Sequence, residues 1–300
     1  MQNIVNYIKH PSRVLLGIVK KMRFVLPDRP YLKLFFLFRM DRKLNLKDPK
    51  TFNEKLQWLK LYDRNPEYIK MVDKLAAKKY VTSIIGGQYV TKVLKVWDRP
   101  EDIDLSALPD KFVLKTSHGG GGSGVVICQH KDSFDVRQAQ KKLQASMSYN
   151  IYRSLCEWPY DFVERKIFAE EYIESEEELN DYKFFCFNGK VEYFKIDFGR
   201  FVEHHANYYD KNCNIAYFGE ADLLPVYTHK IIIPNNIKEM IDIAEKLSKD
   251  KPFIRVDLYN VNGKIYFGEL TLYPASGLGK FSPEEWDLYL GELIKLPELS

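Results

Sequence analysis

Two Asn-Gly pairs, Asn188-Gly189 and Asn262-Gly263, each lie between runs of apolar and aromatic residues. Asn and Gly both tolerate the positive φ that the tightest strand-to-strand turns require, so each pair marks an antiparallel hairpin. The strands it would join are residues 182–187 with 191–196, and residues 253–258 with 264–270. Parallel strands need long crossovers instead of tight turns. Helical patterning falls over residues 51–62, 66–80, 134–147, 235–247 and 283–293, and further strands are expected at 89–96, 111–115, 125–128 and 166–173. In the first helix Asn53 is the expected cap. Helices mixed with antiparallel hairpins give an α+β fold rather than a doubly wound sheet.

Charge and cysteine usage narrow the function. A net charge of +4 over 300 residues is too small to argue for nucleic acid. Cys128, Cys156, Cys186 and Cys213 are far apart and form no CxxC pair, which speaks against a zinc site or a disulfide framework and fits a reducing, cytoplasmic setting. The start of the chain lacks the features of a signal peptide, and no run reaches the ~20 apolar residues of a membrane span. The first forty residues carry Lys9, Arg13, Lys20, Lys21, Arg23, Arg29, Lys33 and Arg39 among apolar runs, with Asp28 the only acid. Two readings stand for this stretch: a helical segment lying peripherally on an anionic membrane surface, or helices packed on the body of the protein.

The chemistry concentrates in three places. Residues 119–124 read Gly-Gly-Gly-Gly-Ser-Gly after a strand ending in Lys115. Such a loop offers backbone N–H groups to a phosphate with no side chains in the way. It leads into a strand rather than a helix, so it is a flap and not a P-loop; a flexible surface loop is the plain alternative. The second place is the hairpin Arg255-Val-Asp257-Leu-Tyr259 with Glu269-Leu-Thr271. A two-residue turn would set Asp257 opposite Gly268, whereas an odd-numbered loop centred on Gly263 pairs Asp257 with Glu269 and Arg255 with Thr271. Opposed carboxylates on one face call for a cation such as magnesium, unless they are merely solvated. The third place is Glu170-Glu171-Tyr172-Ile173, where a strand turns polar before an acidic run. It could read an adenine edge, or be an edge strand with solvated acids. Asp102-Ile-Asp104 has the spacing of glycosyltransferase metal ligands but sits in a polar loop. His204-His205 would point to opposite faces of a strand.

Taken in order, Asp73-Lys74, Val113-Leu-Lys115, the glycine flap, residues 170–173, Asp257 and Glu269-Leu-Thr271 resemble the ATP-grasp superfamily. Pro49-Lys-Thr-Phe-Asn-Glu-Lys55, Leu59-Lys-Leu-Tyr-Asp63, Lys115-Thr-Ser-His-Gly-Gly-Gly-Gly122, Asp181-Tyr-Lys-Phe-Phe185 and Arg255-Val-Asp-Leu-Tyr259 resemble its TupA-like branch, associated with bacterial cell-surface polysaccharide synthesis. The resemblance implies two lobes clamping ATP, with a basic, apolar helical region over residues 1–50. The ATP-grasp region would run from 51 to 300, divided at 51–112, 113–172 and 173–300. It implies phosphate contacts for Lys74 and Lys115, and a cover formed by Gly119, Gly120, Gly121, Gly122, Ser123 and Gly124. Glu170 and the backbone of Glu171, Tyr172 and Ile173 would hold adenine. Asp181 would hold ribose, with Glu177 or Glu178 as alternatives. Asp257, Glu269 and Thr271 would hold two magnesium ions, although many relatives have Asn where Thr271 stands. Arg255 would be catalytic, with Lys183 a further phosphate candidate. The implied reaction joins a carboxylate, a sugar acid of a surface glycan, to an amine such as an amino acid through an acyl phosphate. A nucleotide-sugar glycosyltransferase using Asp102 and Asp104, and a nucleotide-binding scaffold without catalysis, are the competing readings.

Overall fold

The computed structural model describes residues 11–298 except 121, 176–178, 200–202 and 230, with side chains from residue 15 onward. Gly121, Glu177 and Glu178 therefore lie outside the described residues, as do residues 1–10.

Helices come first: α1 (Pro11–Met22), α2 (Asp28–Met40), α3 (Phe52–Tyr62), α4 (Glu67–Val72) and α5 (Lys74–Ile85). Thr51, not Asn53, caps α3. Its hydroxyl accepts from the Glu54 N–H while the Glu54 carboxylate accepts from the Thr51 N–H, a reciprocal capping box. Asn53 falls in the first turn, where its amide donates to the Gly279 carbonyl and to Asp287. The single helix expected over 66–80 is two helices. Asp73 leaves the helix in extended backbone, and its carboxylate accepts from the N–H groups of Leu75 and Ala76 to start α5. That break places Lys74 at the head of a helix, where its N–H donates to the Ser117 carbonyl at 2.8 Å.

Strands β1 (Val93–Trp97), β2 (Phe112–Thr116), β3 (Val125–Cys128) and β4 (Ile167–Glu171) form one antiparallel sheet in the order β1-β4-β2-β3. Between them run α6 (Val136–Ser148) and α7 (Ile151–Leu155). Ala139 and Leu143 of α6 close a core with Phe112, Leu114 and Ile167. Further along come β5 (Asp181–Phe187), β6 (Lys190–Phe198), β7 (His205–Asp210), β8 (Ile215–Ala216), β9 (Gly219–Glu220), α8 (Ile237–Ser248), β10 (Phe253–Val261), β11 (Lys264–Thr271), β12 (Phe281–Ser282) and α9 (Trp286–Leu293). The second sheet runs β11-β10-β5-β6-β7-β8, and β9 pairs with β12.

Strand alternation gives this second sheet two unlike faces. Phe184, Phe194, Ile254, Val256 and Leu258 are buried on one face, against the stripe Met240, Ile243, Ala244 and Leu247 of α8. The opposite face carries Asp181 and Lys183 on β5, Lys195 and Asp197 on β6, Arg255 and Asp257 on β10, and Glu269 and Thr271 on β11. The larger core continues from the sheet into α2 and α3, with Phe52 meeting Phe253 edge to face at 4.9 Å. Each sheet thus has its own core, and the polar face of the larger one is what the fold leaves for chemistry.

Candidate active site

The β10–β11 hairpin pairs Asp257 with Glu269 and Arg255 with Thr271. It does so by a different device from the odd-numbered loop expected above. The turn is the two-residue Asn262-Gly263, with φ of 52° and 85° and Val261 opposite Lys264. From that turn a regular ladder would set Asp257 opposite Gly268. A bulge intervenes: Leu258 pairs with Phe267, and Asp257 with Glu269, leaving Gly268 as the extra residue. Only a residue without Cβ fits, because a Cβ at 268 would lie 2.9 Å from the Asp257 carbonyl oxygen.

The four side chains then meet. Arg255 donates in a fork to both Asp257 oxygens at 2.7 Å, and reaches Glu269 at 3.3 Å and the Thr271 hydroxyl at 3.2 Å. Lys74, from the head of α5, ties this group to the glycine loop. Its ammonium donates to the Gly119 carbonyl at 2.6 Å and to Glu269 at 3.3 Å. Burial would raise the Glu269 carboxyl, but Lys74 and then Arg255 hold it down at about 2. Burial pushes Asp257 up, against the pull of Arg255 and Lys183. Lys183 sits deeper. It pairs with Asp181 and lies 3.4 Å from Asp197 and 3.5 Å from Asp257. Burial pulls its ammonium down, and the three aspartates more than offset that. Asp181 and Lys183 are therefore partners in a buried ion cluster.

The glycines of the flap have two jobs. A Cβ at Gly119 or Gly124 would come within 2.4 Å and 2.0 Å of the Thr116 hydroxyl, so these two let the loop ends close onto β2. Gly120 has nothing nearer than 3.7 Å and Gly122, at φ 76°, has open space. Ser123 donates to the Gly120 carbonyl at 2.9 Å. Behind the loop, His118 is buried and its Nε2 lies 3.1 Å from the Ser146 carbonyl oxygen. Burial lowers its pKa, which keeps the imidazole neutral.

Glu170 is on a central strand, not an edge, and is 5% exposed. Lys115 and Lys78 both pair with it, Lys78 at 2.8 Å, and the Thr91 hydroxyl donates to it at 3.0 Å. Burial alone would raise this carboxyl, yet the two lysines hold it at about 2. Glu171 is exposed and its N–H is taken by the Lys92 carbonyl at 3.0 Å. Tyr172 and Ile173 lie just past the end of the ladder.

A cavity of about 760 Å³ opens over the polar face. Of the candidate residues, Lys74, Gly119, Gly120, Ser123, Arg255, Glu269 and Thr271 line it; Lys115, Glu170, Asp181, Lys183 and Asp257 do not. Its far wall comes from α1 and α2 through Leu16, Lys20, Phe35 and Arg39. Its floor includes a strained loop: Ala275, Ser276 and Gly277 are consecutively left-handed, with φ of 45°, 56° and 60°. Gln57 donates to the carbonyls of Ser276 and Gly277 at 2.9 and 2.7 Å, and buried Lys60 to the Ser276 carbonyl at 2.8 Å and hydroxyl at 2.6 Å. Lys60 has its pKa pulled down to about 8 by burial.

Lys78, Lys60, Lys195 and this loop escaped the sequence reading. Lys78 had a signal, since it stands four residues after Lys74 and so shares its helix face. Lys195 had one too. It lies opposite Lys183 across the Asn188-Gly189 hairpin. Asp102 and Asp104 are exposed and satisfied locally. Asp102 pairs with Arg99 at 2.8 Å, and Asp104 accepts from the Ser106 N–H and from Lys95. His204 lies 3.3 Å from Asp197, while His205 meets the Leu224 carbonyl at 3.0 Å.

The donors Asp257, Glu269 and Thr271 are all hard oxygen. Among the described residues no three His, Cys, Asp or Glu side chains gather into a metal-binding group. Two carboxylates and a hydroxyl suit magnesium shared with nucleotide phosphates, since that ion keeps phosphate and water oxygens as its remaining ligands. Glu269, with 36% of its side chain exposed, is the accessible donor; Asp257 is closed behind the Arg255 fork.

Two antiparallel lobes, one carrying a glycine flap and the other a charged sheet face, make up the ATP-grasp fold. The chain belongs to the TupA-like ATP-grasp family, whose model matches residues 54–295, and so to a superfamily of ATP-dependent ligases. No curated protein matches it. Similar solved structures include D-alanine–D-alanine ligase from Helicobacter pylori, 16% identical, covering 81% of this chain and 69% of that one, TM-score 0.47. N5-carboxyaminoimidazole synthetase from Staphylococcus aureus is 14% identical, covering 91% and 60%, TM-score 0.43. A RimK domain ATP-grasp protein from Sphaerobacter thermophilus is 10% identical, covering 78% and 70%, TM-score 0.42. The chain thus spans only part of the length of each.

Proposed function

We propose that this chain is an ATP-dependent carboxylate–amine ligase that forms an amide through an acyl phosphate. Its acid would be a uronic acid or other carboxylate of a bacterial surface polysaccharide or its precursor, and its amine an amino acid. It would work on the cytoplasmic side, peripherally at the inner face of the cell membrane. The observation that carries the reading is the meeting of Asp257, Glu269, Arg255 and Lys74, from three separate elements, with Lys74 also bonded to the glycine flap. The polysaccharide substrate rests on the family's association alone.

A carboxylate approaching a nucleotide's terminal phosphate is anion meeting anion. Lys74 and Arg255 would neutralise that repulsion and the charge spread over the transferring group. Asp257, Glu269 and Thr271 would hold magnesium, which supplies further charge neutralisation when bound. Lys115 and Lys78, anchored by Glu170, would present positive charge at the nucleotide end of the site. The glycine flap would exclude water so that the acyl phosphate meets the amine and not hydroxide. The left-handed loop at 275–277, held by Gln57 and Lys60, would shape the floor where the acid lies.

The glycosyltransferase reading finds no support in Asp102 and Asp104, which serve a local turn. Thermal shift separates the two. ATP with magnesium should stabilise the protein, and Glu269→Ala should weaken that response. A response to UDP-sugar with manganese that Asp102→Ala removes would replace the ligase reading.

A further inference from the structure

The helices α1 and α2 do two things at once. Inward, Val19, Tyr31, Leu32, Phe35 and Phe36 are buried, and Leu16, Lys20, Phe35 and Arg39 wall the catalytic cavity. Outward, Leu15 and Ile18 are 40% and 52% exposed, and Phe24 and Val25, at the tip between the helices, are each 77% exposed. Leu15 and Ile18 are three residues apart on one face of α1, and Phe24 and Val25 follow in the turn just past its end. Single exposed apolar residues need no explanation, but a cluster of four on one hairpin does.

Charge says what covers it. Lys20, Lys21, Arg29 and Lys33 have no ion-pair partner among the described residues. The only acid of the first forty residues, Asp28, is turned inward: Arg23 donates to it at 2.7 Å and the Tyr152 hydroxyl lies 3.2 Å away. The surface is therefore apolar at its tip and cationic around it, with its one carboxylate neutralised. A protein partner would bring its own acids to match these cations. A bilayer of anionic lipid supplies negative headgroups above an apolar interior, which is the order in which this hairpin presents charge and apolar side chains.

We infer that the α1–α2 hairpin docks on an anionic membrane, with Phe24 and Val25 entering the headgroup layer and the outward face of α1, at Leu15 and Ile18, lying along it. This deepens the proposed peripheral location of the ligase, on which it rests, by naming the surface that docks. The two fail separately, because vesicle binding needs no nucleotide and nucleotide binding needs no vesicle.

The test uses the full chain with vesicles of phosphatidylcholine alone or with added phosphatidylglycerol. Co-sedimentation should occur with the anionic vesicles, weaken as salt rises, and be negligible with neutral ones. Phe24→Glu with Val25→Glu, and separately Lys21→Glu with Arg29→Glu, should each weaken it by about tenfold or more, while stabilisation by ATP with magnesium is kept. To place the docked face, a solvatochromic dye is attached to Ile18→Cys in a Cys213→Ser background, since the other cysteines are buried. Its emission should shift blue on vesicle binding. The same dye at Lys238→Cys, on the exposed side of α8 behind the sheet, should not shift. No binding to anionic vesicles, or equal binding by the Phe24/Val25 variant, overturns the proposal. So does concentration-dependent dimerisation that this variant abolishes, which would make the patch a contact between copies. Blue shifts at both dye positions would overturn the placement of the docked face.

Discussion

Glu170→Gln should destabilise the smaller lobe by an amount the structure sets. The carboxylate is about one-twentieth exposed, and Lys78 and Lys115 hold its pKa at about 2, against an ordinary value of 4.5. That difference of about 2.5 units corresponds to roughly 3 kcal/mol favouring the ionised form, at about 1.4 kcal/mol per unit. Glutamine keeps the shape and removes the charge, so it resembles the protonated acid. Burial already pulls Lys78 down, and losing its partner leaves that ammonium less compensated, which adds to the cost. The folded pKa is below the unfolded one, so this stabilisation is present above about 4.5 and is lost as pH falls from there toward 2. Urea unfolding of both proteins at pH 7 and at pH 3, followed by tryptophan emission, measures it. The wild type should exceed the variant by roughly 3 kcal/mol at pH 7, and the gap should narrow at pH 3. A gap under about 1 kcal/mol at pH 7, or one that pH leaves unchanged, would refute the ion-cluster argument.

Other outcomes follow from the same geometry. Glu269→Ala should leave the fold near normal, because the side chain is partly exposed, yet cut ligation about a thousandfold; urea midpoint and ADP release read the two effects. Asp257→Asn should damage stability as well as ligation, losing about 3 kcal/mol because Arg255 is left inside with a neutral partner. Gly124→Ala should cost about 1–3 kcal/mol, since its methyl would collide with Thr116 and Ser146. Gly120→Ala, whose methyl would meet only Ile151 at an ordinary contact distance of 3.7 Å, should stay within about 0.5 kcal/mol of wild type in thermal unfolding.

The parts of the site legible in the sequence are those that local chemistry dictates. Asn262-Gly263 announced its hairpin, and the identity of the opposed acids followed once they were required to share a face. The device that aligns them was not legible, because Gly268 reads as an ordinary strand glycine until the turn length is known. The left-handed run at 275–277 was hidden for a related reason. Ala275 and Ser276 carry no signal for positive φ, and only Gln57 and Lys60, more than two hundred residues away, hold them there. The helix break at Asp73 was missed because helical periodicity continues through it. At the N-terminus the two readings are compatible in the structure: the helices pack on the body and still expose a basic, apolar outer face.

The central claim is that a carboxylate is phosphorylated before an amine displaces the phosphate. An acid found by crossing sugar acids with amino acids in an ADP-release screen would be labelled with ¹⁸O in its carboxylate, and the released inorganic phosphate analysed by mass spectrometry. One ¹⁸O should pass from the carboxylate into phosphate for each amide formed, and Glu269→Ala should show neither transfer nor amide. Amide formed with unlabelled phosphate, or a glycoside formed from a nucleotide sugar without ADP release, would contradict the account.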